Sequence, residues 1–204
     1  MRMYVACLAS YNNGVLHGEW FDLEDFEDAV DLQDAIAEKV LMTSPHPNVT
    51  VECPHCETGR RGYGVAEGGN FTGFYSCSHC DGYGNHPSAE EWAAHDWDGE
   101  GLSEFGEYPD LEEVLEHVRL VSEHGGAWVA FKSYFGADVT EQNFEDAYRG
   151  EYDSFEAFVE EWCQEVYGWK GDEDFYSWID WERAGRDLRQ GFTFTDGHVF
   201  YSHW

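Results

Sequence analysis

The sequence predicts an α+β protein assembled from small units, and three observations carry that prediction. Paired apolar runs joined by turn residues stand at both ends, at 3–21 and 192–201. Amphipathic helical patterns fill much of the interval, the clearest at 110–125 and 152–166. Two C-x-x-C pairs punctuate the first half. At 204 residues the chain has room for one sizeable domain or two to three small ones.

Taken in order, residues 3–9 (M-Y-V-A-C-L-A) read as a strand, and Tyr11-Asn12-Asn13-Gly14 as a turn suited to positive φ. Val15 to Phe21 returns as a second strand. From Leu23 to Leu41 the period becomes helical, with Phe26, Val30, Ile36 and Val40 inward. Glu24, Glu27, Asp28, Asp31, Asp34 and Glu38 form the outward acidic stripe. Thr43 to Asn48, with two prolines, breaks the pattern. Ser88-Ala-Glu-Glu91 reads as a capping box opening a short helix through Trp92 and His95. Asp110-Leu-Glu-Glu113 opens a clearer helix: Leu111, Val114, Leu115, Val118 and Val121 face inward, Glu112, Glu113, Glu116 and Glu123 outward. Gly125-Gly126 ends it. Ala127 to Phe135 favours helix over a buried strand, and Thr140 caps a further helix to Tyr148.

The stretch from Tyr152 to Val166 is the most one-sided. Phe155, Phe158, Val159, Trp162 and Val166 recur at helical spacing, while Asp153, Glu156, Glu160, Glu161 and Glu165 take the other side. Asp153 is placed to cap, with Glu156 closing a capping box. A solvated helix gains a few tenths of a kcal/mol from mixed i,i+4 charges and loses a similar amount from like ones. This helix has no lysine or arginine to mix in. Asp172 to Ala184 follows with Phe175, Trp178, Ile179 and Trp181, and Asp196-Gly197 joins two alternating runs as a hairpin. The C-terminal aromatics exceed what a small domain buries alone. Trp178, Trp181, Phe192, Phe194 and Phe200 are therefore the candidate subunit contact.

Cys53-Pro-His-Cys56 and Cys77-Ser-His-Cys80 bracket 20 glycine-rich residues. Four thiolates at that spacing suit a closed, tetrahedral, structural Zn²⁺ site, with Cys53, Cys56, Cys77 and Cys80 as ligands. Four protein ligands leave no open coordination position for catalysis. His55 and His79 inside the knuckles are read as bystanders, a Cys/His exchange among the ligands being the alternative. The second knuckle, C-S-H-C-D-G-Y-G, resembles half of the DnaJ-type repeat; the first does not, so only zinc-turn chemistry follows.

With 42 Asp+Glu against 11 Lys+Arg, the formal charge is −31. Aromatics at 17% and hydrophobics at 42% exclude a disordered acidic tail. Residues 51–88 hold 4 acids and 2 bases whereas 140–187 hold 15 and 4, so the acidic field skips the cysteine segment. No apolar run reaches the roughly 18–20 residues of a membrane span, and no secretory h-region opens the chain, which predicts a soluble, cytoplasmic protein. No phosphate loop, G-x-S-x-G or H-E-x-x-H occurs, and the ten histidines are scattered. Cys7 and Cys163 sit at apolar positions as core residues. No enzyme is expected.

Linked motifs suggest a family. Met3-Tyr-Val-Ala-Cys-Leu8 followed by Tyr11 to Phe21 resembles the opening of ArdA antirestriction proteins. Glu91-Trp-Ala-Ala-His-Asp96, the acidic stretch from Tyr152 to Glu165, and Ile179-Asp-Trp-Glu-Arg-Ala-Gly-Arg-Asp-Leu188 resemble further segments of that family, in order. The resemblance leaves out about 43–88. It implies an elongated, curved string of three small domains. On this sequence they fall as an N-terminal β-sheet-plus-helix domain at 1–107, a mainly helical middle domain at 108–146 and a C-terminal α/β domain at 147–204, and the zinc-ribbon-like insertion at 43–88 is this sequence's departure from the family pattern. The resemblance also implies a homodimeric, non-enzymatic mimic of B-form DNA. Such a mimic occupies the DNA groove on the methyltransferase core of type I restriction–modification enzymes, protecting mobile DNA without binding nucleic acid itself.

The charge pattern agrees. B-DNA carries one charge per about 1.7 Å, and its binders neutralise phosphates with Lys and Arg. Carboxylates at Glu24, Glu27, Asp28, Asp31, Asp34, Glu38, Asp110, Glu112, Glu113, Glu116, Asp153, Glu156, Glu160, Glu161 and Glu165 are the candidate phosphate substitutes. Phosphate contacts carry little sequence information, so one mimic suits enzymes with different targets. The competing readings are haloadaptation, suggested by only three lysines, an acidic binding protein or chaperone for another basic DNA-binding partner, and a zinc enzyme.

Overall fold

The computed structural model describes residues 1–55, 62–65, 71–75, 77, 80, 83–136, 138–171 and 174–204. Its elements are β1 (Arg2–Cys7), α1 (Leu8–Asn12), β2 (Gly18–Asp22), α2 (Ala29–Ile36), β3 (Val49–Glu52), β4 (Gly62–Val65), β5 (Phe71–Tyr75), β6 (Asn85–Ser88) and β7 (Trp92–Asp98). There follow α3 (Leu111–His124), α4 (Gly126–Phe135), α5 (Glu141–Ala147), β8 (Tyr148–Glu151), α6 (Phe155–Tyr167), α7 (Trp181–Leu188), β9 (Phe192–Thr195) and β10 (His198–Tyr201). The fold is α+β, as the sequence predicts. The described strands form two three-stranded sheets and two two-stranded ribbons, all antiparallel. The chain separates into two compact units, Met1–Val118 and Arg119–Trp204, the division falling inside α3.

In the first unit the sheet order is β2–β1–β7. The first strand ends at Cys7, because Leu8 to Asn12 turns into a short helix before Gly14, at φ +77°, reverses the chain. The second strand begins only at Gly18, which sits opposite Ala6. A Cβ there would lie 2.2 Å from the Val5 carbonyl oxygen, so glycine is what lets the strands close. The long helix expected from Leu23 to Leu41 is interrupted. A 3₁₀ turn at Leu23–Asp25 comes first, α2 starts at Ala29 behind the Asp28 cap, and a π-helical turn covers Ala37–Leu41. Asp28 accepts from the Val30 and Asp31 N–H groups, both at 2.9 Å. Ile36 and Val40 are buried as expected, together with Leu32, whereas Val30, about half a turn before Leu32, points to water. These residues pack with Met3, Val5, Phe21, Ala94 and Leu102 in the first core.

The helix expected after Ser88 does not form. Ser88 ends β6, paired with Val49, and Trp92 to Asp98 is β7, paired with β1 from Cys7 back to Arg2. Without β7, β1 would be an edge strand with Val5 and Ala6 uncovered; sheet pairing overrides the local capping pattern. The clear helix at 110 forms as expected. Asp110 accepts from Glu112 N–H at 2.9 Å, and Gly125 follows the helix at φ +61°.

In the second unit the sheet order is β8–β10–β9. Asp196 and Gly197, at φ 49° and 85°, make the β9–β10 turn the sequence predicts. Strand β8 was not expected; its four residues carry little apolar pattern, and it exists because β10 offers it a partner. Cross-strand pairs sort the hairpin by face: Phe192 opposes Tyr201 and Phe194 opposes Val199, whereas Thr193 opposes Phe200. The first set packs with Phe155, Phe158, Val159 and Cys163 of α6 and with α7. Phe200 instead packs with Trp128, Phe131 and Phe144 of α4 and α5. The sheet therefore separates two helical layers. Helix α4 settles the 127–135 ambiguity in favour of helix, and Thr140 caps α5 with Asn143 closing the box.

Candidate functional site

The acidic faces come first. Glu24, Glu27, Asp28, Asp31, Asp34 and Glu38 are exposed on or beside α2, as are Asp110, Glu112, Glu113 and Glu116 at the start of α3. On α6, Asp153, Glu161 and Glu165 are exposed, and Glu156 and Glu160 are half-buried. The α6 cap is Ser154, one residue after the expected Asp153: its Oγ accepts from Ala157 N–H at 3.2 Å, which leaves the Asp153 carboxylate at the surface. Val166, expected inward, is 53% exposed, because the helix has turned past its core by its last turn.

Counter-ions are scarce on these faces. Among the described residues, Glu27, Asp31, Asp34, Glu112, Glu113, Asp153, Glu156, Glu160, Glu161 and Glu165 take part in no ion pair. Glu24 meets the N-terminal ammonium, whose hydrogen bond holds its carboxyl below the ordinary range. Glu38 meets His55 Nε2 at 3.3 Å. Around α6 the polar neighbours are phenols. Burial, then the charge of Glu161, pushes the Tyr152 hydroxyl up. Burial pushes Tyr176 up as well, opposed by its bond to Gln164 and aided by Glu160.

Four of the described arginines are committed to other groups. Arg2 pairs with Asp98, holding that carboxyl down chiefly through the hydrogen bond. Arg119 bridges Glu123 at 3.0 Å and Glu141 at 2.7 Å, with His124 Nε2 3.3 Å from Glu141. This cluster was invisible in sequence, because Glu141 is brought to α3 only by the fold. Its chief effect on Glu141 is a hydrogen bond from Arg119 that lowers the carboxyl's pKa. Arg149 lies 3.9 Å over the Tyr201 ring and Arg189 4.4 Å over Phe155.

The cysteine cluster is the other constellation. Cys53, Cys77 and Cys80 bring their Sγ atoms within 4.8 Å of one another; Cys56 lies outside the described residues, as does His79. Cys53 Sγ and Cys77 Sγ are 3.9 Å apart. Thiolates on a tetrahedral ion with bonds of about 2.3 Å stand roughly 3.8 Å apart, whereas a disulfide needs about 2.05 Å. Gly84 N–H donates to Cys80 Sγ at 3.3 Å, and Cys53 N–H donates to Gly84 O at 2.9 Å, tying the two knuckles. The β3–β6 ribbon delivers both, with Glu52 opposite Asn85. The three thiols fit a metal ion.

The aromatics expected at a subunit contact are distributed unevenly. Phe192 and Phe200 are buried in the two cores just described, Phe194 and Trp181 are half-buried, and Trp178 is 83% exposed. The rings of Tyr167, Trp169 and Phe175 touch in succession, at 5.0 and 5.7 Å between centroids. Among the described residues, no helix is long and apolar enough to cross a membrane.

No curated protein matches the chain. A family model described as "Antirestriction protein (ArdA)" matches residues 3–201. The match runs through both sheets, the cysteine segment and all three acidic helix faces, and the chain belongs to the ArdA antirestriction protein family.

Proposed function

We propose that this protein blocks restriction without catalysis, presenting carboxylates where DNA would present phosphates. It then occupies the DNA groove on the methyltransferase core of a type I restriction–modification enzyme, in the cytoplasm, protecting incoming mobile DNA. The observation that carries this reading is the set of exposed carboxylates on α2, α3 and α6 that have no basic partner among the described residues. An ordinary solvated helix recovers stability from mixed charges. Forgoing it along α2 and α6, and at the start of α3 ahead of the Arg119–Glu123 pair, leaves a one-signed surface suited to a cationic groove.

The test is residue-by-residue neutralisation, read by restriction of incoming plasmid in cells and by enzyme inhibition in vitro. Single changes such as Glu161→Gln or Glu113→Gln are expected to alter inhibition by less than about fivefold, since an exposed pair is worth little. Blocks of four or five on α6 plus α3 should weaken it progressively, and added salt should weaken it steeply. One indispensable acid surrounded by dispensable ones would sink mimicry. Tight histone binding without restriction inhibition would favour the acidic-chaperone reading instead.

Two further parts belong to this reading. Zinc is held by Cys53, Cys77 and Cys80, with Cys56 completing the set, as a structural ion. The protein is a homodimer whose contact draws on the aromatic C-terminal segment, with Trp178 the most available side chain. Light scattering across micromolar concentrations is expected to give twice the 23.4 kDa chain mass. A persistent monomer would count against the dimer, and Trp178→Glu should shift the equilibrium toward it.

A further inference from the structure

A groove of about 510 Å³ opens in the first unit between the end of α2 and the β3–β6 ribbon. Its floor is apolar, built from Leu41, Met42, Val49, Val51 and Ala89. Its rim is acidic, with Asp34 and Glu38 on the helical side and Glu52 and Glu90 on the ribbon side. Among the described residues, no lysine or arginine lines it. Asp34, Glu52 and Glu90 take part in no ion pair among the described residues, while Glu38 meets His55.

We propose that this groove docks a segment of a protein partner in which aliphatic side chains alternate with lysine or arginine. The two halves of the lining select that chemistry together. A purely cationic ligand would satisfy the rim but leave the floor wet. A purely apolar ligand would cover the floor while desolvating four carboxylates with nothing to neutralise them, which is costly. An alternating chain places aliphatic groups down and basic groups at the rim. The volume lies in the range that seats a few side chains. Two rim acids come from ahead of the cysteine segment, a third, Glu52, from the ribbon that carries it and the fourth, Glu90, from two residues past that ribbon, so the ribbon forms one wall of the site. The proposal goes beyond phosphate mimicry, because burial on the floor adds a term that salt does not screen.

The experiment uses the full chain, ¹⁵N-labelled, titrated with a capped hexapeptide alternating leucine and lysine, and in parallel with hexalysine. The alternating peptide is expected to produce saturable shifts at the amides of Leu41, Met42, Val51 and Ala89. Its dissociation constant should weaken by less than about tenfold on going to about 0.5 M salt, where screening reaches only a few ångströms. Hexalysine should spread over exposed carboxylates in both units and be lost at that salt. The double change Glu52→Lys with Glu90→Lys should weaken the alternating peptide at least about tenfold and confer binding of a leucine–glutamate peptide. Val51→Arg should abolish floor shifts. Equal behaviour of the two basic peptides, or unchanged binding by both variants, would overturn the proposal. Restriction inhibition, measured on the same variants, reports separately on phosphate mimicry.

Discussion

Phe131→Ala is expected to destabilise the protein by about 3–5 kcal/mol, the range for emptying a buried phenylalanine site. Phe131 on α4 is fully buried. Its ring lies 4.9 Å from Phe135, 5.5 Å from Phe144, 5.2 Å from Phe200 and 5.3 Å from Trp204, centroid to centroid. Truncation removes the group on which α4, α5 and the outer face of β10 converge, and rings fixed by so many neighbours cannot collapse into the gap. Phe131→Leu, which keeps most of the volume, is expected to lose markedly less. Trp162→Ala should also cost less, because Trp162 is only half-buried. Urea denaturation followed by tryptophan fluorescence measures all three. A Phe131→Ala midpoint equal to wild type would show that this layer is not a core.

Removing the metal is expected to have the second large effect, confined to the ribbon. Purified protein should contain about one zinc per chain, and Cys77→Ser or Cys80→Ser should lose it. Metal affinity in such sites is folding free energy, because the ligands are assembled only in the folded state. The β3–β6 pairing has only four residue pairs, and Thr50 and Glu52 on β3 face water. A two-stranded ribbon of that length is marginal by itself. After chelation, amides such as Cys53, bonded to Gly84 O, should exchange freely, whereas Val5 and Phe131 amides should remain protected. Metal-free protein with unchanged protection at Cys53 would defeat the structural-zinc assignment.

Much of the local structure was legible because its causes are local. Asp110, Thr140 and the Asp196-Gly197 turn act within a few residues of themselves, and each does in the fold what its neighbours in sequence imply. The exposure of the acids was legible for a similar reason: a helix that alternates aromatics with glutamates has one dry face to offer. The failures share the opposite property. Ser88 to Glu91 has the pattern of a helix start, but β1 required a partner that lies 85 to 96 residues further along the chain. Strand β8 has almost no pattern, and it pairs because β10 presents an open edge. Val30 faces outward because it stands two residues, about half a helical turn, before the buried Leu32, while Ile36 and Val40 stay inward as expected.

By itself, then, the sequence determined the α+β class, the one-signed charge, the two knuckles and membership of an antirestriction family, since composition, spacing and linked motifs do not depend on how the chain folds back. Only the tertiary structure decided which acids were neutralised. Arg2 and Arg149 could have paired with the acidic faces; long-range packing instead commits them to Asp98 and to the Tyr201 ring, and it adds Glu141 to the local Glu123 partner of Arg119. It also decided that Phe192 and Phe200, adjacent on one hairpin, serve opposite cores, because a strand alternates its side chains and here has a helical layer on each side. The groove between α2 and the β3–β6 ribbon belongs to the same category: its floor and rim come from 34–54 and 88–90, segments brought together by the pairing of β3 with β6.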